Sequence, residues 1–191
     1  MRQAFRALCH NAWSCDLKPA EDASAYHYQA DITKVIPLKR WDIIILHPDC
    51  TALTVAGNHV YAEGKPKHRE RILAAQWTES LWNLAIANSD SVCLENPVGV
   101  LPRLTSMGKP SQYIQPYNFG HSASKKTGLH LHNLPPLVPT NRIQGRQCSG
   151  VERWDNQTDS GQNKLGPSPT RAADRARTYQ GIASAMANQW G

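Results

Sequence analysis

Three segments of the chain end in residues that can do chemistry. "DIIIL" (42–46) runs into His47-Pro48-Asp49-Cys50, "SVCL" (91–94) into Glu95-Asn96, and "AWSC" (12–15) into Asp16. A thiolate is a strong nucleophile toward an electron-poor ring carbon, and a nearby carboxyl can protonate a ring nitrogen and draw charge off the ring. Cys50 and Glu95 together have the means to activate a pyrimidine. Sulfur added at carbon 6 of cytosine makes carbon 5 an enamine-like nucleophile, able to take a methyl group from a sulfonium donor. Neither ring atom is reachable inside a duplex, so the base has to leave the stack first.

For these residues to meet, the segments that carry them must be neighbouring strands. The continuous aliphatic run of "DIIIL" has the pattern of a central parallel strand buried on both faces. Between His68 and Asn88, Leu73, Trp77, Leu81 and Leu84 recur at helical spacing, which predicts an amphipathic helix burying that stripe. "SVCLEN" (91–96) reads as the next strand, with short strands expected at "QYIQPYNF" (112–119) and "TGLHLH" (127–132). "RQAFRALC" (2–9) reads as a short helix. Lys18 to Ala30 is polar and loop-like, and Tyr179, Ile182, Met186 and Trp190 mark one stripe of a closing helix. Strand, helix and strand in alternation predict an open α/β sheet, whose ligands sit at the carboxyl ends of the strands. Asp16, the His47–Cys50 turn and the Glu95-Asn96 pair all fall at such ends.

These motifs resemble a known family. "HPDCTALTVAGN" is similar to the Pro-Cys motif of cytosine-5 DNA methyltransferases, and "ENPVGVL" to their Glu-Asn motif. The resemblance is closest to small phage and prophage proteins of this type. It extends through "SCDL", "IQPYNFGHSASKKTGLHLHNLPPLVPT" and "RTYQGIASAMANQWG", so that it runs from Met1 to Gly191. It implies a Rossmann-like methyltransferase sheet, mostly parallel with helices on both faces, in a single domain over 1–191. Within it, 1–132 would form the sheet core, 133–173 a long basic irregular loop or small insert, and 174–191 the C-terminal helix. It also implies S-adenosylmethionine as donor and cytosine in DNA as target.

Carried over by position, Cys50 is the nucleophile, Glu95 the group on the ring nitrogen, and Asn96 the brace of that loop. Asp16 falls where the family holds the donor's ribose, Asp31 where an acid binds the adenine amino group, and Pro48 at the head of the turn beside the donor. Lys125, Lys126 and Thr127 fall near the stretch with which larger enzymes face the target base and backbone. Two departures stand out. The family's first apolar strand and its Gly-bearing turn have no counterpart ahead of "RQAF", so the sheet is expected to be N-terminally truncated. Asp49 replaces the usual proline before the cysteine, and an anion there works against a thiolate.

Charge points to the same class of partner. Of a formal +6, most lies between Lys125 and Arg177, where nine basic residues face four acidic ones. Such a surface attracts polyanions through counterion release, which makes Arg142 and Arg146 further candidates for phosphate contacts. A catalytically inactive DNA-binding relative would share this charge. An amino-group methyltransferase is a third reading, disfavoured because a cysteine stands where its motif carries an aromatic residue. The five cysteines form no Cys-x-x-Cys pair, so reduced thiols and no zinc site are expected. No apolar run approaches the roughly 20 residues of a membrane span, and the N-terminus lacks an export signal. The chain is expected in the cytoplasm, that of a bacterial host if phage-encoded, and as a monomer.

Overall fold

The computed structural model describes residues 1–166, 168 and 177–191. They form a mixed α/β structure that divides into two compact units. One comprises residues 13–113 and 127–136, the other residues 1–12, 114–126 and 137–191.

The first unit holds the candidate strand ends. β1 (Ser14–Asp16) and β2 (His27–Gln29) make a two-stranded parallel sheet of their own. α2 (Ile32–Val35) follows β2 directly, capped by Asp31. β3 (Trp41–Leu46), β4 (Ser89–Pro97), β5 (Gln112–Ile114) and β6 (Thr127–His132) form a four-stranded sheet in the order β3-β4-β6-β5. β3 and β4 run parallel with Leu46 beside Leu94, whereas β4 and β6 run antiparallel with Glu95 beside Leu129. The sheet is therefore mixed, not mostly parallel. The reason lies in the connections: a parallel step needs a crossover of a dozen or more residues. α4 (His68–Asn88) supplies one between β3 and β4. From β4 to β6 the only helix longer than a 3-10 turn is the four-residue α5 (Leu101–Leu104), and the chain folds back.

β3 is also not central. Among the described residues it is an edge strand, with Ile44 and Leu46 buried while Asp42 is exposed. β4 takes the central place, and Val92, Cys93 and Leu94 in succession are fully buried.

α4 packs on β3 and β4, but not by the predicted stripe. Its buried residues are Arg71, Ala75, Thr78, Leu81 and Ala85, whereas Leu73 and Trp77 are exposed. Small side chains let the helix approach closely enough for Ile44, Leu46, Val92 and Leu94 to pack with Ala75, Leu81 and Ala85 in one cluster. Of the expected stripe, only Leu81 is fully buried.

In the second unit, α1 (Arg2–Ala7) packs on α6 (Gln180–Trp190). Ile182 and Met186 are buried as their spacing predicted, while Tyr179 directly precedes the helix and Trp190 is half-buried. Residues 174–176, included in the expected helix, lie outside the described residues. The segment expected to be a loop contains a hairpin of β7 (Arg146–Cys148) and β8 (Val151–Arg153). "QYIQPYNF" is a strand only as far as Ile114, because Pro116 opens a 3-10 turn over Pro116–Asn118.

Candidate active site

Cys50 follows the end of β3 by four residues, and Glu95 lies on the neighbouring parallel strand β4, one residue beyond the Leu46–Leu94 pair. Pro48 ends the pairing of β3, and the next residues close into a tight turn. The Asp49 side chain accepts from the Thr51 amide at 2.9 Å and from the Thr51 hydroxyl at 2.6 Å. The Cys50 carbonyl accepts from the amides of Leu53 at 2.9 Å and Thr54 at 3.2 Å. Asp49 thus shapes the turn that presents the half-buried Cys50.

This turn is fastened to the segment that follows Glu95 and Asn96. The Val100 amide donates to the Leu53 carbonyl at 2.9 Å, and the Val55 amide to the Val98 carbonyl at 3.3 Å, with Thr54 bridged to Gly99. A side chain at Gly99 would run into the Leu53 carbonyl, so glycine is what lets the two segments meet. On the other flank, buried Arg71 donates to the carbonyls of Ala52 at 2.7 Å and Thr54 at 3.1 Å and to the Asn58 amide oxygen at 2.8 Å. α3 (Asn58–Tyr61) begins at that asparagine.

Glu95 is largely covered, and its Oε2 lies 3.2 Å from Nδ1 of His47, the more exposed of the two. Asn96 is buried; its amide group donates to the Pro97 carbonyl at 2.8 Å, while its own oxygen has no hydrogen-bond partner among the described residues. A shallow cavity of about 370 Å³ opens beside the Cys50 turn, lined by Asp49, Thr51, Tyr61 and the exposed Leu73 and Trp77.

The two candidate donor-site acids sit together on the other parallel pair. Asp16 ends β1, and Asp31 follows β2 by two residues; both are exposed. Asp16 accepts from the Lys18 amide at 2.9 Å through Oδ1. Asp31 uses Oδ1 for both the amide (2.9 Å) and the hydroxyl (2.8 Å) of Thr33, and these bonds hold its carboxyl below the usual range. In both residues Oδ2 stands outside these bonds, an acceptor suited to a hydroxyl or amino donor.

The basic candidates divide. In the second unit, Lys125 is half-buried with its amide donating to the Gln115 side chain, and Lys126 is exposed. Thr127, at the start of β6, is only 2% exposed and offers no surface for a nucleic acid; its pairing with Pro97 in the ladder covers it. Arg142 is committed to Glu152 at 2.6 Å and lies over the stacked rings of Tyr117 and Trp154. Arg146 donates to the Trp154 and Gln157 carbonyls and to Asp159 at 2.9 Å. Both arginines brace the hairpin, and their charge is matched locally. Arg171 and Arg175 lie outside the described residues.

Sequence alone places His47 at the strand end with no role of its own, and it does not single out Arg71 or Gly99. Arg71 had a readable signal, since it shares helical spacing with the small residues Ala75 and Thr78. No group of three or more potential metal ligands occurs among the described residues, and no helix among them is long and apolar enough to cross a membrane. Comparison with known proteins gives no relative: no family model, curated protein or solved structure matches the chain.

Proposed function

We propose that the first unit carries a cytosine-5 DNA methyltransferase site of Rossmann-like ancestry, using S-adenosylmethionine. The observation that carries this reading is the placement of Cys50 and Glu95 at the same end of adjacent parallel strands, with the segments beyond them hydrogen-bonded together. A nucleophile and an acid so placed can act on two atoms of one flat ring.

Cys50 sulfur forms a bond to carbon 6 of an extruded cytosine while the Glu95 carboxyl gives its proton to the ring nitrogen, which absorbs the electron pair. With the donor bound, carbon 5 would take its methyl group, the sulfonium leaving as a neutral thioether, and would lose its proton to water. The carbon–sulfur bond then breaks, the thiolate leaves, and the ring nitrogen returns its proton. Asp16 and Asp31 would hold the donor through its ribose hydroxyls and adenine amino group, with Pro48 alongside; when bound, the donor's sulfonium supplies the methyl group. Asn96 braces the Glu95 segment through its bond to Pro97. On the second unit, taken by itself, Lys125 and Lys126 remain candidates for phosphate contacts.

The test is transfer of labelled methyl from S-adenosylmethionine to DNA, with the product identified as 5-methylcytosine. Cys50→Ser should abolish it. Absence of transfer together with absence of donor binding by calorimetry overturns the reading. A second reading, DNA binding without methyl transfer, is favoured by the exposed Asp49 carboxylate immediately before Cys50. It is distinguished by salt-dependent DNA binding in a chain that binds no donor.

A further inference from the structure

We propose, resting on the reading of DNA as partner, that the cavity beside the Cys50 turn is a pocket for one unstacked nucleobase bearing an exocyclic amino group. Its walls come from elements that the sequence keeps apart. One is a face of α4, where Leu73 and Trp77 stand four residues apart and so one above the other, with the small Ala74 beside them. The other is the Cys50 turn, through Asp49 and Thr51, continued by Tyr61 of α3.

Leu73 is 54% exposed and Trp77 45%, the reverse of what an apolar pair at that spacing does when it packs in a core. Tyr61 is held in place: a side chain at Gly57 would crowd its ring, and the Arg71 guanidinium lies 6.0 Å from the ring centre. Two aromatic rings lining a space of about 370 Å³, near the small end of ligand pockets, suit the flat ring of a single base.

The charges set which end of a nucleotide enters. Asp49 and Glu70 both line the cavity. Asp49 uses Oδ1 for Thr51, and a carboxylate only accepts, so what remains calls for an N–H donor and repels a phosphate. Lys67 stands beside the cavity, its ammonium 3.4 Å from Glu70 and 6.0 Å from the Tyr61 ring centre. That ion pair is exposed and weak, which leaves the ammonium able to meet a phosphate. Lys65 and Arg69, both exposed, extend the positive charge to either side in sequence. A base with an amino group therefore goes in and its phosphate stays out. Because Asp49 and Thr51 flank Cys50, the nucleotide held here is a neighbour of the one whose base would reach the sulfur.

The experiment is fluorescence anisotropy of end-labelled oligo-dT strands bound by the full chain. One strand carries a single adenine, the other a single purine, which is the adenine ring without its amino group. Neither carries cytosine, so the target base of Cys50 is absent. The adenine strand should bind about fivefold tighter, the effect of one hydrogen bond, and Asp49→Asn combined with Glu70→Gln should erase the difference. Trp77→Ala, at an exposed position, should weaken binding of the adenine strand about tenfold through lost stacking. Lys67→Gln should lower the salt slope by about one. Equal binding of the two strands by the wild-type chain, or unchanged affinity in Trp77→Ala, overturns the pocket. No binding of either strand overturns it together with DNA as the partner. The expected pattern in a chain that transfers no methyl group sustains the pocket and overturns the cytosine reading alone; methyl transfer by a chain without the pattern does the reverse.

Discussion

Nε of Arg71 donates to the carbonyl oxygen of Ala52 at 2.7 Å, two residues beyond Cys50. One guanidinium on α4 therefore fixes the far side of the Cys50 turn, because its other nitrogens reach Thr54 and Asn58. Truncation in Arg71→Ala leaves buried acceptors unmatched and should cost about 2–4 kcal/mol. Arg71→Lys, with a single ammonium in place of a planar fork, should recover only part of this. Urea denaturation gives the magnitude. Hydrogen exchange should show faster exchange at Leu53 and Thr54; unchanged protection there would mean that Arg71 does not hold the turn.

Gly99 is the other fastening. A methyl group there would displace the Leu53 carbonyl, and with it the acceptor of the Val100 amide. Gly99→Ala should destabilise by about 1–3 kcal/mol, the usual range for overpacking. It should also reduce any activity by more than stability alone explains, since the Cys50 and Glu95 segments would part. Gly64→Ala, at a positive φ but with open space around it, is the control for backbone strain without separation.

The residues that the strand ends bring to the candidate site were readable in part, and the reason is local. An aliphatic run closed by proline and a cysteine announces a strand and its end, and "SVCL" announces a strand that runs on through Glu95 and Asn96 to Pro97. What was not readable depends on partners distant in sequence. The same run of isoleucines suits a central or an edge strand, so the place of β3 at the sheet edge could not be told from its composition. Trp77 and Leu73 have the period of a buried stripe, yet the helix turns its small residues inward because the Cys50 turn needs Arg71 on that side. His47 meets Glu95 only through the lateral register of two strands 48 residues apart. The hairpin at Arg146–Arg153 is held by arginine–acid pairs and the Tyr117–Trp154 stack rather than by an apolar pattern.

His130 gives a pH dependence whose sign is fixed. Burial holds its imidazole below the ordinary value, at the edge of the Trp82 ring. The unfolded chain therefore binds this proton more readily than the folded one. Its contribution to stability is full above about pH 6.5 and is lost as pH falls toward the folded value. His130→Phe keeps an aromatic ring against Trp82 and removes the titration. Thermal melts between pH 8 and pH 5 should fall less steeply in this variant, and equal slopes would contradict the assignment.

Cys93 provides an internal clock for unfolding. It is fully buried in β4, and burial pushes its thiol far above the ordinary range. An alkylating reagent at pH 8 should leave it unmodified in the native chain and modify it in urea with the global transition. Modification of Cys93 under native conditions at the rate of an exposed thiol would show that the centre of the sheet opens locally.

Asp31 separates a structural from a ligand-holding role. Its Oδ1 caps α2 through Thr33, an office that asparagine performs about as well. Asp31→Asn should therefore leave the melting temperature at pH 7 nearly unchanged. The carboxyl is held below its ordinary value by the Thr33 bonds, so in the wild-type chain it favours folding above about pH 4. That contribution is lost as pH falls further, and the variant should lose less stability on acidification. If Oδ2 also receives the adenine amino group, the same substitution puts an amide where the charge-assisted bond was wanted. Donor affinity by calorimetry should then drop about tenfold at pH 7, the effect of roughly 1.4 kcal/mol, while stability holds. Unchanged affinity would leave Asp31 with the cap alone and transfer the recognition of the adenine to other residues.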